Sequence, residues 1–271
     1  MIFTLIALLI ATKTDATVGY AAMNLDTGKV IRQRGDVSFP MASVFKLPIA
    51  LTLLQRVDKG EVFLTKEVTI TPDQFSFGHS PLRDSANGKP VTVTIGRLLE
   101  LMLGDSDNTA GDYLLGVAGG PAAVTKRMRE LGAGGIRVDR PERETIADLR
   151  KPGGAARYAK DVRDTSTPNA MLTLLAKLQR AQVGLSAESR EIALRIMTET
   201  ESGPNRIRAG IPKDAMLAHK TGTMDGTLND VGIIDGRIAI AIFTKGAVKS
   251  STADREKLVA EIAGKLLKEL K

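Results

Sequence analysis

Short apolar, β-compatible runs lie near both ends of the chain, and apolar residues recur at a helical period between them. Residues 18–25 are apolar and β-compatible, Asp26-Thr27-Gly28 has turn chemistry, and residues 29–34 can pair back as a hairpin. Residues 43–57 set Val44, Leu47, Leu51 and Leu54 on one helical face. Further helical patterns cover 95–103, 109–117, 121–131, 168–182 and 187–198. Strand patterns return at 216–223, 227–234 and 237–244, the last two joined by the hairpin dipeptide Asp235-Gly236. The chain closes on 253–270, where Leu258, Ile262, Leu266 and Leu270 form one apolar stripe.

Strands at both ends with helices between predict an α/β (α+β) fold of two lobes. Segments 17–38 and 190–271 would build an antiparallel sheet flanked by helices, with an all-helical lobe, 39–189, inserted between them. A cleft between such lobes is a natural ligand site. Residues 1–16 read as an export signal, because the apolar run 2–11 suits a signal core and Thr14-Asp15-Ala16 can end one. That run is shorter than the roughly 20 residues of a membrane-spanning helix, so no stable membrane insertion is expected. The predicted destination is the periplasm or the medium.

Composition narrows the chemistry. A chain of 271 residues can bury an ample core. The absence of cysteine excludes disulfides, thiolate metal sites and a cysteine nucleophile. The net charge of +7 raises nucleic acid as a partner, but the basic residues are scattered among carboxylates and aromatic residues make up 4%. A nucleic-acid surface clusters its cations and adds stacking rings, so none is expected. No group of side chains resembles a metal site, and neither a metal nor a cofactor is required.

Three short motifs carry candidate chemistry. Ser43-Val44-Phe45-Lys46 opens a predicted helix, and a spacing of three sets hydroxyl and ammonium on one face. A serine hydroxyl needs a proton acceptor before it can attack, and a desolvated lysine can be one. Ser106-Asp107-Asn108 lies between helical segments, where Ser106 and Asn108 can reach a ligand while Asp107 fixes the loop. Lys220-Thr221-Gly222-Thr223 ends a strand, and its glycine permits close approach of another backbone. Each motif alone also reads as an ordinary helix cap or strand end.

In this order, the three motifs resemble the signatures of class A β-lactamases and penicillin-binding proteins. The resemblance covers about 18–270 and extends to Phe39-Pro40-Met41, Arg163-Asp164-Thr165 and the run 219–232. It implies a serine hydrolase that opens a small β-lactam through an acyl-enzyme on Ser43 and works as a monomer. Lys46, or Glu142 through a water, would take the serine proton, and Ser106 would pass a proton to the departing nitrogen. Glu142, in Asp139-Arg140-Pro141-Glu142, matches the Ω-loop glutamate that activates the hydrolytic water. Arg140 and Asp164 match the pair that closes this loop. The backbone N–H groups of Ser43 and Thr223 would form the oxyanion hole. Lys220, Thr221 and Ser106 would bind the substrate carboxylate, with Arg206 helping and Arg208 as its rival.

The match departs from the family around Glu142. Ile146 stands where an asparagine usually helps to hold the water, and Arg143 replaces a frequent proline. The segment 140–164 is longer than usual, with Lys151-Pro152-Gly153-Gly154 as a flexible interior. These changes touch deacylation, so acylation is expected intact and hydrolysis slow for some substrates. A D-alanyl-D-alanine carboxypeptidase or other penicillin-binding protein, or a sensor domain that acylates without turnover, remains the alternative. His79 can line the cleft rim, whereas His219 should face away from the cleft.

Overall fold

The computed structural model describes residues 14–271. The apolar run 2–11 therefore lies outside the described residues. Nine strands and eleven helices follow in this order among them. They are β1 Thr17–Asn24, β2 Val30–Gln33, β3 Phe39–Pro40, α1 Lys46–Asp58, β4 Glu67–Ile70, α2 Pro81–Ala86, β5 Val91–Thr94, α3 Ile95–Leu103, α4 Asn108–Val117 and α5 Gly120–Glu130. Then come α6 Glu142–Leu149, α7 Gly154–Tyr158, β6 Thr165–Ser166, α8 Pro168–Gln179, α9 Ala187–Glu199, α10 Ile207–Gly210, β7 Leu217–Met224, β8 Thr227–Ile234, β9 Ile238–Lys245 and α11 Thr252–Leu270.

Both chain ends build one antiparallel sheet in the order β2-β1-β9-β8-β7, which leaves β7 at an edge. Period-two alternation sorts its side chains between two cores. On β9, Ala239, Ala241 and Phe243 face the core shared with α1, α3, α4 and α8. Ile238, Ile240 and Ile242 face a second core against α11, whose stripe of Leu258, Ile262, Leu266 and Leu270 is buried there. Burial of both faces explains why the late strands read as almost continuous apolar runs. The β8–β9 turn has positive φ at both Asp235 and Gly236, the geometry that its dipeptide signalled.

Helix boundaries follow local chemistry. Side chains of Thr94, Asp107, Thr167, Ser186 and Ser251 each accept the N-terminal backbone N–H of a following helix turn. One expected boundary differs. Ser43 does not open an α-helix but sits in a 3-10 turn over Ala42–Phe45, and α1 starts at Lys46. Pro48 lacks an N–H, so it fits only the first turn of a helix, and the α-helical ladder cannot begin much earlier. The Lys151–Gly154 stretch is also more ordered than expected: two short helices, α6 and α7, flank it, with Gly153 at φ +70°. The hairpin of β4 and β5 was not expected: Val68 and Ile70, and Val91 and Val93, do alternate with polar residues, but each run is only four residues long and lies among helical segments.

Candidate active site

The site starts from a strained turn. Ala42, immediately before Ser43, holds φ +46°, a conformation that L residues adopt at a cost of about 1–2 kcal/mol. It persists because its neighbours are tied from several elements. The Met41 N–H donates to the Asp164 carbonyl at 2.9 Å, and the Ala42 N–H donates to the Tyr158 hydroxyl at 3.1 Å. Asn229 Nδ2 donates to the carbonyls of Pro40 and Met41 at 2.9 and 3.0 Å. This turn lies directly on the edge strand β7. A Cβ at Gly222 would stand 2.5 Å from the Met41 carbonyl, so that position admits only glycine.

Three motifs distant in sequence meet at the serine. Lys46 is completely buried and its Nζ donates to Ser43 Oγ at 3.1 Å, the Ser106 carbonyl at 2.6 Å and Asn108 Oδ1 at 2.7 Å. Lys220, equally buried, donates to Ser106 Oγ at 3.0 Å, and Lys46 Nζ lies 3.4 Å from the same hydroxyl. Ser106 reaches this place with φ +60°, fixed by the next residue. The Asp107 carboxylate is buried and accepts from Ser80 Oγ, Leu82 N and Ala110 N, which caps α4 and pins the loop. Burial lowers the proton affinity of both lysines. The positive charges of Lys46 and Arg206 lower that of Lys220 further.

Glu142 opens α6 and enters the cleft from the opposite side. Its backbone N–H donates to Asp112 Oδ1 at 2.6 Å, and Arg143 donates to Oδ2 of the same aspartate at 3.1 Å from its N–H and 3.2 Å from Nε. Its carboxyl is buried and accepts no hydrogen bond among the described residues, and burial raises its pKa. No described peptide bond is cis, that between Glu142 and Arg143 included. The expected pair of Arg140 and Asp164 forms at 2.8 Å, and Arg140 also reaches Asp148 at 2.6 Å and Asp161 at 2.9 Å. One buried guanidinium thus gathers three carboxylates across the segment.

The remaining wall is cationic. Arg206 Nη2 donates to Thr223 Oγ1 at 2.6 Å, Nη1 donates to the Asn229 carbonyl at 3.1 Å, and Nε approaches Glu256 at 3.4 Å. Arg208 instead binds the carbonyls of Ala215 and Pro212 and does not line the cleft. Thr221 Oγ1 donates to Ser202 Oγ at 2.9 Å. Leu228 N–H turns to Thr244 Oγ1 on β9, so the Thr223–Leu228 pair is of the non-hydrogen-bonded kind. Thr223 N–H consequently points outward from the free edge of β7, toward the cleft. That cleft encloses about 980 Å³ and is lined by Ser43, Ser106, Asn108, Glu142, Arg206 and Thr223, among others. His79 lines it as well, with Nε2 at 2.9 Å from the Asp105 carbonyl, while His219 pairs with Asp230 at 2.9 Å away from it.

Four contributors had no place in the sequence reading: Tyr158, Ser202, Asn229 and Asp112. Asp112 alone had a signal, since it sits one helical turn after Asn108 on α4. Tyr158 and Asn229 are single polar residues whose partners at 40–42 lie far away in the chain, and Ser202 pairs with Thr200 and Thr221 outside any motif.

Comparison with known proteins follows the same lines. Residues 4–270 match the model of the Beta-lactamase enzyme family. A β-lactamase of Streptomyces fradiae is 35% identical over 255 residues, covering 92% of this chain and 80% of the relative. β-Lactamase VEB-1 of Pseudomonas aeruginosa is 31% identical over 92% of this chain and 84% of the relative. Among solved structures, a β-lactamase from Chitinophaga pinensis superposes with a TM-score of 0.85 at 32% identity, over 95% of both chains. An ancestral class A β-lactamase of Gram-negative bacteria gives 0.83 at 33% identity, over 94% of this chain and 95% of that one.

Proposed function

This chain belongs to the β-lactamase enzyme family and hydrolyses β-lactams, and from that premise we propose which of its residues perform each step. The observation that carries the proposal is the convergence on Ser43 of Lys46, Ser106 and Lys220, with the Glu142 carboxyl facing them across the cleft.

Ser43 Oγ attacks the lactam carbonyl and its proton leaves in the same step. Lys46 is the titratable group within hydrogen-bonding distance of that oxygen, and with Lys46 charged, Glu142 takes the proton through a water. The carbonyl oxygen gathers negative charge between the N–H groups of Ser43 and Thr223. A fixed donor of this kind is worth on the order of 10²-fold or more in rate. As the ring C–N bond breaks, the nitrogen receives a proton from Ser106 Oγ, resupplied by either flanking ammonium. Glu142 then removes a proton from a water, the hydroxide displaces Ser43 from the ester, and the proton returns to the serine. Lys220, Thr221, Arg206 and Thr223 hold the substrate carboxylate, and Asn108 holds the acyl side chain. All these residues come from one chain, so the site needs no second copy to be complete, in keeping with the monomer of this reading. Action outside the cytoplasm is part of the same reading and rests on the apolar run 2–11.

The test is an intact-mass time course with excess benzylpenicillin. The wild-type protein is expected to show a transient adduct on Ser43 while penicilloate accumulates. Glu142→Gln should hold that adduct for hours. Turnover by Glu142→Gln at the wild-type rate would remove Glu142 from the mechanism. A wild-type adduct that never clears would place this chain among acylated proteins without turnover.

A further inference from the structure

Tyr158 closes α7 inside the lengthened Ω segment, and its side chain is 4% exposed. The hydroxyl oxygen accepts the Ala42 N–H, which leaves the phenolic proton in need of an acceptor. Beside it lies a cavity of about 10 Å³, lined by Ala42, Phe45, Glu142, Thr145, Tyr158 and Asp164. That is room for one water molecule, and the walls supply the two or more polar partners that a buried water needs. Asp164 already receives the N–H groups of Asp139 and Arg140 and the Arg140 guanidinium. Glu142 borders both this cavity and the cleft, and its carboxyl receives no hydrogen bond among the described residues. On the cleft side, Ile146 offers it no polar atom.

We infer that Tyr158 is a positioning residue for the general base: through one water in this cavity its O–H donates toward the Glu142 carboxylate, while its oxygen holds the turn that presents Ser43. This rests on Glu142 as the base, as proposed above. Burial and the nearby carboxylates hold the phenol protonated well above the usual tyrosine range, so it remains a donor wherever the enzyme works. A donor to a carboxylate stabilises the charged form. The inserted helix thereby steers the base from beneath.

Tyr158→Phe keeps the ring and removes the donor. Acyl-enzyme decay of this variant should be followed against pH by mass, together with thermal unfolding. The acidic limb of deacylation is expected to move up by about one pH unit, so that decay well down that limb slows about tenfold. A role confined to bracing the fold would lower the melting temperature and leave the limb in place, and that outcome overturns the inference. Should Tyr158→Phe not fold, a fluorinated tyrosine at position 158 serves instead. As a stronger donor it should move the limb down, and an unmoved limb again overturns the inference. Glu142→Gln separates the two readings. Rapid decay in that variant removes the base and this inference together, whereas a stalled Glu142→Gln with an unshifted Tyr158→Phe limb removes only this inference.

Discussion

Lys220 Nζ stands 3.0 Å from Ser106 Oγ, although 114 residues separate the two in the chain. The same hydroxyl lies 3.4 Å from Lys46 Nζ, so one serine oxygen bridges two buried ammonium groups. Burial makes both ammonium groups readier proton donors, and the Lys46 charge adds to this at Lys220. A hydroxyl in that place can take a proton from one side and release one on the other. The site is therefore built to deliver protons to the leaving nitrogen as well as to remove one from Ser43.

Ser106→Gly isolates that task. Ser106 holds φ +60°, where glycine carries no steric penalty, so the variant should keep or slightly raise the melting temperature. Its kcat/KM for benzylpenicillin should nonetheless fall by about 10²–10⁴, the usual range for a lost proton-transfer group. Full activity in a stable Ser106→Gly protein would show that the lysines or water can reach the nitrogen directly.

Glu142→Gln should stabilise the protein while it stops turnover. Burial is the main reason that the pKa of this carboxyl is raised, opposed by the Lys46 charge and assisted by that of Asp112. With the folded pKa above the unfolded one, ionisation costs nothing below the ordinary glutamate range. The cost grows as pH rises through that range and is complete above the folded value. It amounts to about 1.4 kcal/mol for each pH unit by which the folded pKa exceeds the unfolded one. Unfolding curves of wild type and Glu142→Gln should hence coincide near pH 4 and separate toward pH 8, with the variant more stable. The wild-type deacylation rate should fall as pH drops through the raised value. Equal melting temperatures at pH 8 would contradict the assignment.

Arg140 is the structural centre of the Ω segment, with 3% of its side chain exposed and three carboxylates around it. Removing one partner of a buried ion pair costs about 3–5 kcal/mol. Arg140→Ala should lower the melting temperature by roughly 10 °C, since each kcal/mol shifts it by about 2–4 °C in a chain of this size. Arg140→Lys should recover only part, because a point charge cannot serve three directions at once. Limited proteolysis of Arg140→Ala is expected to cut first within 148–160. An unchanged melting temperature would mean that the carboxylates find other cations.

Ile146 lines the cleft near Gly78 and Asn108. An asparagine there supplies both a donor and an acceptor to the hydrolytic water. Single-turnover decay of the penicilloyl-enzyme should accelerate severalfold in Ile146→Asn, with acylation unchanged. If decay keeps its rate, another group already orders the water.

The sequence alone determined more than the element pattern. It predicted the strands of both ends, the helices α3, α4, α8, α9 and α11, and the turn at Asp235-Gly236, because period and turn chemistry act over a few residues. The order of the Ser43, Ser106 and Lys220 motifs pointed to the family. The Arg140–Asp164 pair was also legible, as a position carried over from that resemblance. What the sequence could not show was partnership at a distance. Arg206 and Arg208 are the same residue type, separated only by Ile207, and nothing local tells them apart. The packing around α10 sends Arg206 to Thr223 and Arg208 to backbone carbonyls. The strained φ of Ala42 is not written in an alanine. It arises because Tyr158 and Asp164 from the Ω segment and Asn229 from β8 converge on that turn. Desolvation has the same origin. The lowered proton affinity of Lys46 and Lys220 and the raised one of Glu142 follow from burial, which is decided by what the rest of the chain places around a residue. Residue type thus set which reaction was chemically available, and tertiary structure set the dry, crowded geometry in which it can proceed.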